Sequence, residues 1–494
     1  MTLSSSARPS PGPAAGPPPW TRPTLAGPES SSCVGQGHAA RRRSGAALLL
    51  AALASGGCAP DRSARSSLDA SLDPPANFEL DGNTFCYAGA NNYYLIYKPK
   101  EMVDHVFESA KAMNLSVLRM WGFIDIGALD GSVKNVDPLG DGKKDGVYFQ
   151  RWDPKLKRVI RNEGPDGLPH LDYALAKAAE AGVKVILVLT NNWHDFGGID
   201  QYVAWFGRSK HHEFYTAPEI KDAYKDWVHS LVTRKNTVNG RLYRDDPTIF
   251  SWELANEPRC KGTGPGAEGW TNQTLVSWAD EMSTYIKSLD PNHMVSVGDE
   301  GFLNRGGQHW TYQAYDGVDH EALTRLPNVD FGTFHMYPDH WGTEPGWDRR
   351  WIVDHLKVAR QLGKPTVLEE YGLQVTRDPQ DRIVRGLDQR LDRYTQWNDA
   401  MLTGGGNGTL VWMLAGIDVL SPNAFGYYED HDRYTVYPGD ETARLLADHA
   451  DRFATSAVAC RQGVPASGDP SPFVRVVRPP GPIASSAASP SAIR

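Results

Sequence analysis

The sequence predicts an α/β protein folded as a single (β/α)8 barrel between disordered N- and C-terminal segments, and three observations carry the prediction. Short apolar runs of strand length alternate with longer amphipathic stretches. Eight such runs fall within one continuous body of about 380 residues that contains no second linker. Polar residues recur at the C-terminal ends of the runs, where a barrel of this kind gathers its functional groups. A doubly wound open sheet would show the same alternation, but no Gly-rich phosphate loop follows the first run.

In chain order, residues 1–58 read as an export signal region. Arg41, Arg42 and Arg43 precede the apolar run AALLLAALA (46–54), which is too short to span a bilayer. Cys58 sits where a lipoprotein signal places its lipidated cysteine, although Ser55 occupies a position three before it that is usually Leu or Val. Membrane attachment through a lipidated Cys58 and ordinary cleavage nearby both stay open. Either outcome gives an exported protein, secreted or lipid-anchored at the cell surface. The first 33 residues are rich in Pro, Ser and Ala and long for a signal head, which raises the alternative of an overcalled start with the true codon at Val34. Residues 59–76 read as a Ser/Asp/Pro-rich linker, 77–456 as the barrel domain, and 457–494 as a low-complexity tail with too few apolar residues to fold alone.

The eight strands are expected at FCYAGANNYY (85–94), SVLRMW (116–121), VKVILVLT (183–190), TIFSWELAN (248–256), HMVSVGD (293–299), VDFGTFHMY (329–337), PTVLEEY (365–371) and GTLVWMLAG (408–416). Amphipathic helices are expected at 102–114, 171–182, 274–290, 351–363 and 391–402. The strand ends carry Arg119 and Trp121, Asn191 to His194, Asn256 and Glu257, His335 and Tyr337, Glu369 and Glu370, and Trp412. DPLGDGKKDG (137–146) is acidic, but its Asp spacing does not fit a calcium loop, so it reads as a solvated loop at the barrel mouth. Tyr148, Phe149 and Trp152 beside it are candidates for the cleft rim.

Charge and cysteine content narrow the function classes. The net charge is −8, and residues 1–57 hold five Arg against one Glu, which leaves about −12 on the remainder. An acidic body without a basic stripe argues against a nucleic-acid partner. The five cysteines show neither zinc-like spacing nor a disulfide framework, so no metal centre is expected. Fifteen Trp and 20 Tyr supply flat faces suited to stacking on sugar rings.

Glu257 closes the fourth run and Glu370 the seventh, nearly opposite each other in an eight-strand ring. Two carboxylates converging on one cleft are what acetal hydrolysis needs, one protonated and one ionised. Glu253 and Glu369 read as supporting residues. His194, His211 and His212 read as surface or loop residues. Trp193 and Trp341 fit either subsite walls or packing.

WELANEPR (252–259), LEEYG, LRMWGF and FGTFHMYPDHW resemble the motifs of glycoside hydrolase family 5, of the clan A barrels. LTNNWHDFGGIDQYVAWF (189–206), GDEGF (298–302) and YYEDHDRYTVY (427–437) narrow the resemblance to its endo-β-1,4-mannanases, over about residues 78 to 450. The resemblance implies a retaining hydrolase of mannan, glucomannan or galactomannan that needs no cofactor, and a monomer is expected. It makes Glu257 the general acid/base and Glu370 the nucleophile. Asn256 would bond the sugar 2-hydroxyl, Arg119 would keep the nucleophile ionised, and Tyr337 would hydrogen-bond it. His335 would line the same subsite and Trp412 would floor it. Arg259 would serve the leaving-group side, while Trp121, like Trp193 and Trp341, fits either a subsite wall or packing. Cys260 departs from the pattern, since CKGTGPG offers no nearby partner for a local disulfide, so it is expected free or paired at a distance. Other clan A activities (endoglucanase, exo-β-mannosidase) and a non-catalytic carbohydrate-binding lipoprotein are the alternatives.

Overall fold

The computed structural model describes residues 76–477 apart from 139, 141–144, 262–268, 308, 381 and 457–469. The export signal and nearly all of the linker lie outside the described residues, as does part of the 137–146 loop.

All eight expected strands form, and they run parallel: β1 (Tyr87–Asn92), β2 (Val117–Trp121), β3 (Lys184–Val188), β4 (Ile249–Glu253), β5 (Met294–Ser296), β6 (Gly332–Met336), β7 (Thr366–Tyr371) and β8 (Gly408–Val411). Hydrogen-bonded ladders connect them in the order β5-β4-β3-β2-β1-β8-β7-β6. The ring closes between β5 and β6 without a ladder. There Asp330 N–H donates to the Val295 carbonyl (2.8 Å), Val295 N–H donates to the Asp330 carboxylate (2.7 Å), and His335 N–H donates to the Glu300 carbonyl (3.1 Å). These strands are buried on both faces, as parallel barrel strands must be.

A helix follows each strand: α1 (Lys100–Ala112), α2 (Pro169–Ala181), α3 (Pro218–Val232), α4 (Asn272–Leu289), α5 (His320–Arg325), α6 (Trp347–Leu362), α7 (Leu387–Gly404) and α8 (Glu441–Ala454). Five match the expected stretches, and α3, α5 and α8 are additions. In α3, Pro218 starts the first turn, and Ile220, Tyr224, Trp227, Val228 and Leu231 form the buried stripe at helical spacing. The Asp440 side chain caps α8 by accepting from Ala443 N–H at 2.6 Å.

Two regions differ from expectation. The segment between β2 and α2 is not only loop: Asp125–Ala128, Gln150–Asp153 and Arg158–Arg161 pair into a three-stranded sheet at the mouth. Phe149 is fully buried beneath it and Trp152 packs edge-on against Phe206 at 5.5 Å, so neither is a free cleft rim. The tail also contributes structure. Arg475–Val477 pairs antiparallel with Asn77–Leu80, and Val474 is buried among Phe78, Tyr87, Phe250 and Phe331. A segment this short has no core of its own, but an open strand edge supplies its hydrogen bonds and the barrel floor its apolar partner. Cys86 is disulfide-bonded, while Cys260 is free and buried.

Candidate active site

The site is assembled at the C-terminal ends of the strands around one buried cation. Arg119 on β2 points into the barrel with no exposed surface. Its Nη1 reaches Glu370 Oε1 at 2.5 Å and Asn91 Oδ1 at 3.1 Å. Nη2 donates to Glu253 Oε1 at 2.6 Å and to Asn256 Oδ1 at 2.7 Å, and Nε lies 3.7 Å from Glu369 Oε2. One guanidinium thus organises three carboxylates from β4 and β7. Burial, followed by the Glu369 charge, pushes Glu253 well above the usual carboxylate range against the pull of Arg119.

The end of β4 turns sharply to present its carboxylate. Asn256 N–H donates to the Thr190 carbonyl and Glu257 N–H to the Gly298 carbonyl, both at 2.8 Å. Glu257 itself takes a left-handed backbone (φ +50°), an uncommon conformation for a residue other than glycine. Gly298 (φ +82°) makes the approach possible, since a Cβ there would lie 2.2 Å from the Ala255 carbonyl oxygen. Asn256 Nδ2 is anchored on Asn191 Oδ1 at 2.9 Å.

Glu257 and Glu370 face each other with His335 between them. Trp193 Nε1 donates to Glu257 Oε2 at 2.6 Å, and His335 Nδ1 meets Glu257 Oε1 at 2.7 Å. Tyr337 O–H donates to Glu370 Oε2 at 2.7 Å, and His335 Nδ1 is 3.6 Å from that same oxygen. An oxygen from each of the two carboxylates and the imidazole nitrogen lie within 4.8 Å of one another. Among the described residues, this is where donor atoms converge closely enough to hold a metal ion, yet the indole and the phenol already donate to both carboxylates.

The charges of this trio are interdependent. Burial works against a charged His335, but Glu370 and Glu257 raise it well above the ordinary imidazole range. Burial likewise works against an ionised Glu257, but the hydrogen bond and charge of His335, with Arg259 and the Trp193 indole, bring it down to about 2. The proton of this pair therefore rests on the imidazole side of a 2.7 Å hydrogen bond. Burial also raises Glu370 above 4.5, with the Glu257 charge adding and His335, Arg119 and Tyr337 opposing.

On one flank Arg259 forms a two-pronged pair with Glu300, 2.7 Å at each contact, and its guanidinium lies 5.1 Å from the Trp193 ring and 5.2 Å from the Phe302 ring. On the other flank Trp412, half-buried after β8, lies 6.0 Å from Trp121 and 6.1 Å from Tyr93. Trp121 is buried beneath with Arg119 at 5.1 Å from its ring, so it backs the cleft wall instead of forming it.

All nine candidate residues are brought to one end of the barrel. His211 is not a surface residue: it is buried, with Nδ1 at 2.7 Å from Asp200 and Nε2 at 3.1 Å from Asn192, whose Oδ1 also accepts Arg259 N–H. His212 is buried as well. Trp341 packs among Phe302, Trp310 and Trp347 and is core. Cys260 needs no disulfide to hold its turn, because its N–H donates to the Asp316 carbonyl at 2.7 Å and Tyr215 O–H donates to the Arg259 carbonyl at 2.9 Å. Sequence reasoning gave no role to Glu300 or Asn192. Glu300 lies within GDEGF, a motif with no signal that one of its acids would meet an arginine 41 positions earlier.

Comparison with known proteins agrees with this geometry. The family described as "GH family 5 beta-mannosidase-like" matches residues 76–454. The probable mannan endo-1,4-beta-mannosidase F of Neosartorya fischeri is 35% identical over 382 residues, covering 76% of this chain and 73% of that protein. The mannan endo-1,4-beta-mannosidase A of Podospora anserina is 37% identical over 374 residues, covering 75% and 88%. Among solved structures, the endo-beta-1,4-mannanase from Thermotoga petrophila is 41% identical with a TM-score of 0.64, covering 75% of this chain and 77% of that one. The endo-1,4-beta-mannanase from Rhizomucor miehei is 34% identical with a TM-score of 0.67, covering 78% and 99%. A (β/α)8 barrel with two facing carboxylates at its mouth, matched along the whole barrel, places this chain in glycoside hydrolase family 5, among its mannosidase-like members.

Proposed function

We propose that the protein is an exported, retaining endo-β-1,4-mannanase. The observation that carries the mechanism is the closeness of Glu257 and Glu370, oxygens of which lie within 4.8 Å. Retaining glycosidases hold their carboxyl groups about 5–5.5 Å apart, whereas inverting ones leave about 6.5–9.5 Å for a water. Glu370 attacks the anomeric carbon and forms a covalent glycosyl-enzyme. Arg119 and Tyr337 donate to both of its oxygens, which favours the ionised form and fixes its direction of attack. Glu257 protonates the leaving oxygen with the proton held across its contact with His335, and later deprotonates the water that releases the sugar. Asn256, oriented by Arg119 and Asn191, bonds the 2-hydroxyl as the oxocarbenium-like state develops. Trp412 is the apolar floor under the reacting sugar, and Arg259 with Trp193 shapes the leaving-group side.

The assignment to β-1,4-mannan and to internal cleavage rests on the mannanase relatives at 34 to 41% identity. Residues 77–477 incubated with mannan, glucomannan and cellulose should release mixed-length oligosaccharides from the first two, with the β-anomer formed first by proton NMR. Monosaccharide alone would mean exo action, preference for cellulose would mean an endoglucanase, and mannan binding without new reducing ends would mean a non-catalytic binder. Export is tested by fractionating cells that express the full chain. Activity confined to the cytoplasm would overturn it, and recovery with the membrane only when Cys58 is intact would show lipid anchoring.

A further inference from the structure

The loop after β8 enters the cleft a second time through Asp432, which accepts a hydrogen bond from Trp412 Nε1 at 2.7 Å on Oδ2 and from Tyr434 N–H at 3.0 Å on Oδ1. Both carboxylate oxygens are thus acceptors with directed donors, an arrangement a carboxylate satisfies and an amide does not, because an amide brings one acceptor and a donating NH2. The indole is only half-buried, and its ring neighbours Tyr93 and Trp121 stand about 6 Å away by centroid, at 26° and 39°. Packing alone leaves such a ring free to tilt about its side-chain torsions, so the bond at its edge sets the plane.

Asp432 can act this way because its own position is set from elsewhere. Gln374 Nε2 donates to its carbonyl at 3.0 Å, and Val375 N–H and Arg390 Nη2 donate to the next carbonyl, of Arg433, at 3.0 and 2.6 Å. Arg377 Nε pairs with Asp430 at 2.8 Å. The loop is therefore fastened to the segment that follows β7, independently of Trp412. The same loop supports the nucleophile's partner: the Tyr434 ring lies 5.2 Å from Tyr337, its O–H donates to Asp339 at 3.2 Å, and a Cβ on Gly372 would strike both rings, at 2.6 and 2.9 Å.

Building on the mannanase reading, we propose that Asp432 is a positioning residue that fixes the plane of the Trp412 indole beneath the reacting sugar, with its loop acting as a strap between the β7 and β8 sides of the cleft. The contact orients the ring as the sugar distorts towards the transition state, so its loss appears chiefly in kcat.

The test is a double-mutant cycle of Asp432→Asn and Trp412→Phe on β-1,4-mannohexaose, with thermal midpoints recorded in parallel. Each single variant should lower kcat by about tenfold with KM changed less than threefold, and the double variant should be no worse than Trp412→Phe alone. Multiplying effects in the double variant would overturn the proposal. If Asp432→Asn fails to fold, Trp412→Phe decides alone, because it removes the indole N–H that Asp432 accepts: wild-type kcat in that variant overturns the proposal. Failure of the mannanase reading is separable, because wild type itself would then leave mannohexaose intact. The cycle would in that case be read on the β-1,4-glycan that wild type does cleave.

Discussion

The two ends of the barrel are built on opposite principles. At the floor, Phe78 of the strand Asn77–Leu80 reaches up into a ring of Tyr87, Phe250, Phe331 and Val367, meeting Phe250 at 5.1 Å and Phe331 at 5.3 Å edge to face. At the mouth, equally buried positions of the same strands hold Arg119, Glu253, His335, Glu369 and Glu370. Position along a strand separates the two: Phe250 and Glu253 belong to β4, and Val367 and Glu370 to β7. The floor gains free energy by removing apolar surface from water, while the mouth bears the desolvation of charge for the sake of chemistry. Stability and activity should therefore respond to different substitutions.

The largest expected effect is at the mouth. Glu370→Ala should lower kcat on mannan by about 10⁴-fold or more in a chain that still folds, since Arg119 keeps Glu253 and Glu369 as partners. Near-normal activity in that variant would remove Glu370 from the nucleophile role. Next comes the floor. Phe78→Ala should cost about 3–5 kcal/mol in denaturant unfolding, with kcat at low temperature unchanged. A matching loss of kcat would show that the two ends are coupled. Truncation after residue 469 deletes the strand Arg475–Val477 and the buried Val474, for a loss of roughly 1.5–3 kcal/mol and again no change in kcat. The finest test is pH. The Glu370 carboxyl is raised above 4.5 by burial, and protonation removes the nucleophile, so activity should fall as pH drops through a midpoint above 4.5. Arg119→Met withdraws a cation that favours the ionised form and should move that midpoint further up. A downward shift would mean that Arg119 does not act on Glu370.

The floor and the mouth were also unequally legible. Every barrel strand could be read from its apolar run, because period and length are local properties of the chain. Glu257 and Glu370 could be read once strand ends were treated as one surface. The strand at Arg475–Val477 could not: nothing in PSPFVRVV marks it until the edge of Asn77–Leu80 is there to pair with. The burial of His211 could not be read either, since its neighbours Asp200 and Asn192 are brought to it by the short helix Gly198–Trp205 and the β3 end.

The sequence by itself determined the alternation of strands and helices, the identity of the two facing carboxylates and the residues that surround them. Those follow from side-chain chemistry and spacing along one dimension. Tertiary structure alone decided that Arg119 organises three carboxylates, that His335 shares a proton with Glu257, that Glu300 takes Arg259, and that Asp432 holds Trp412. Each is a contact of a few ångströms between groups far apart in the chain, and its strength depends on how much water the barrel excludes around it.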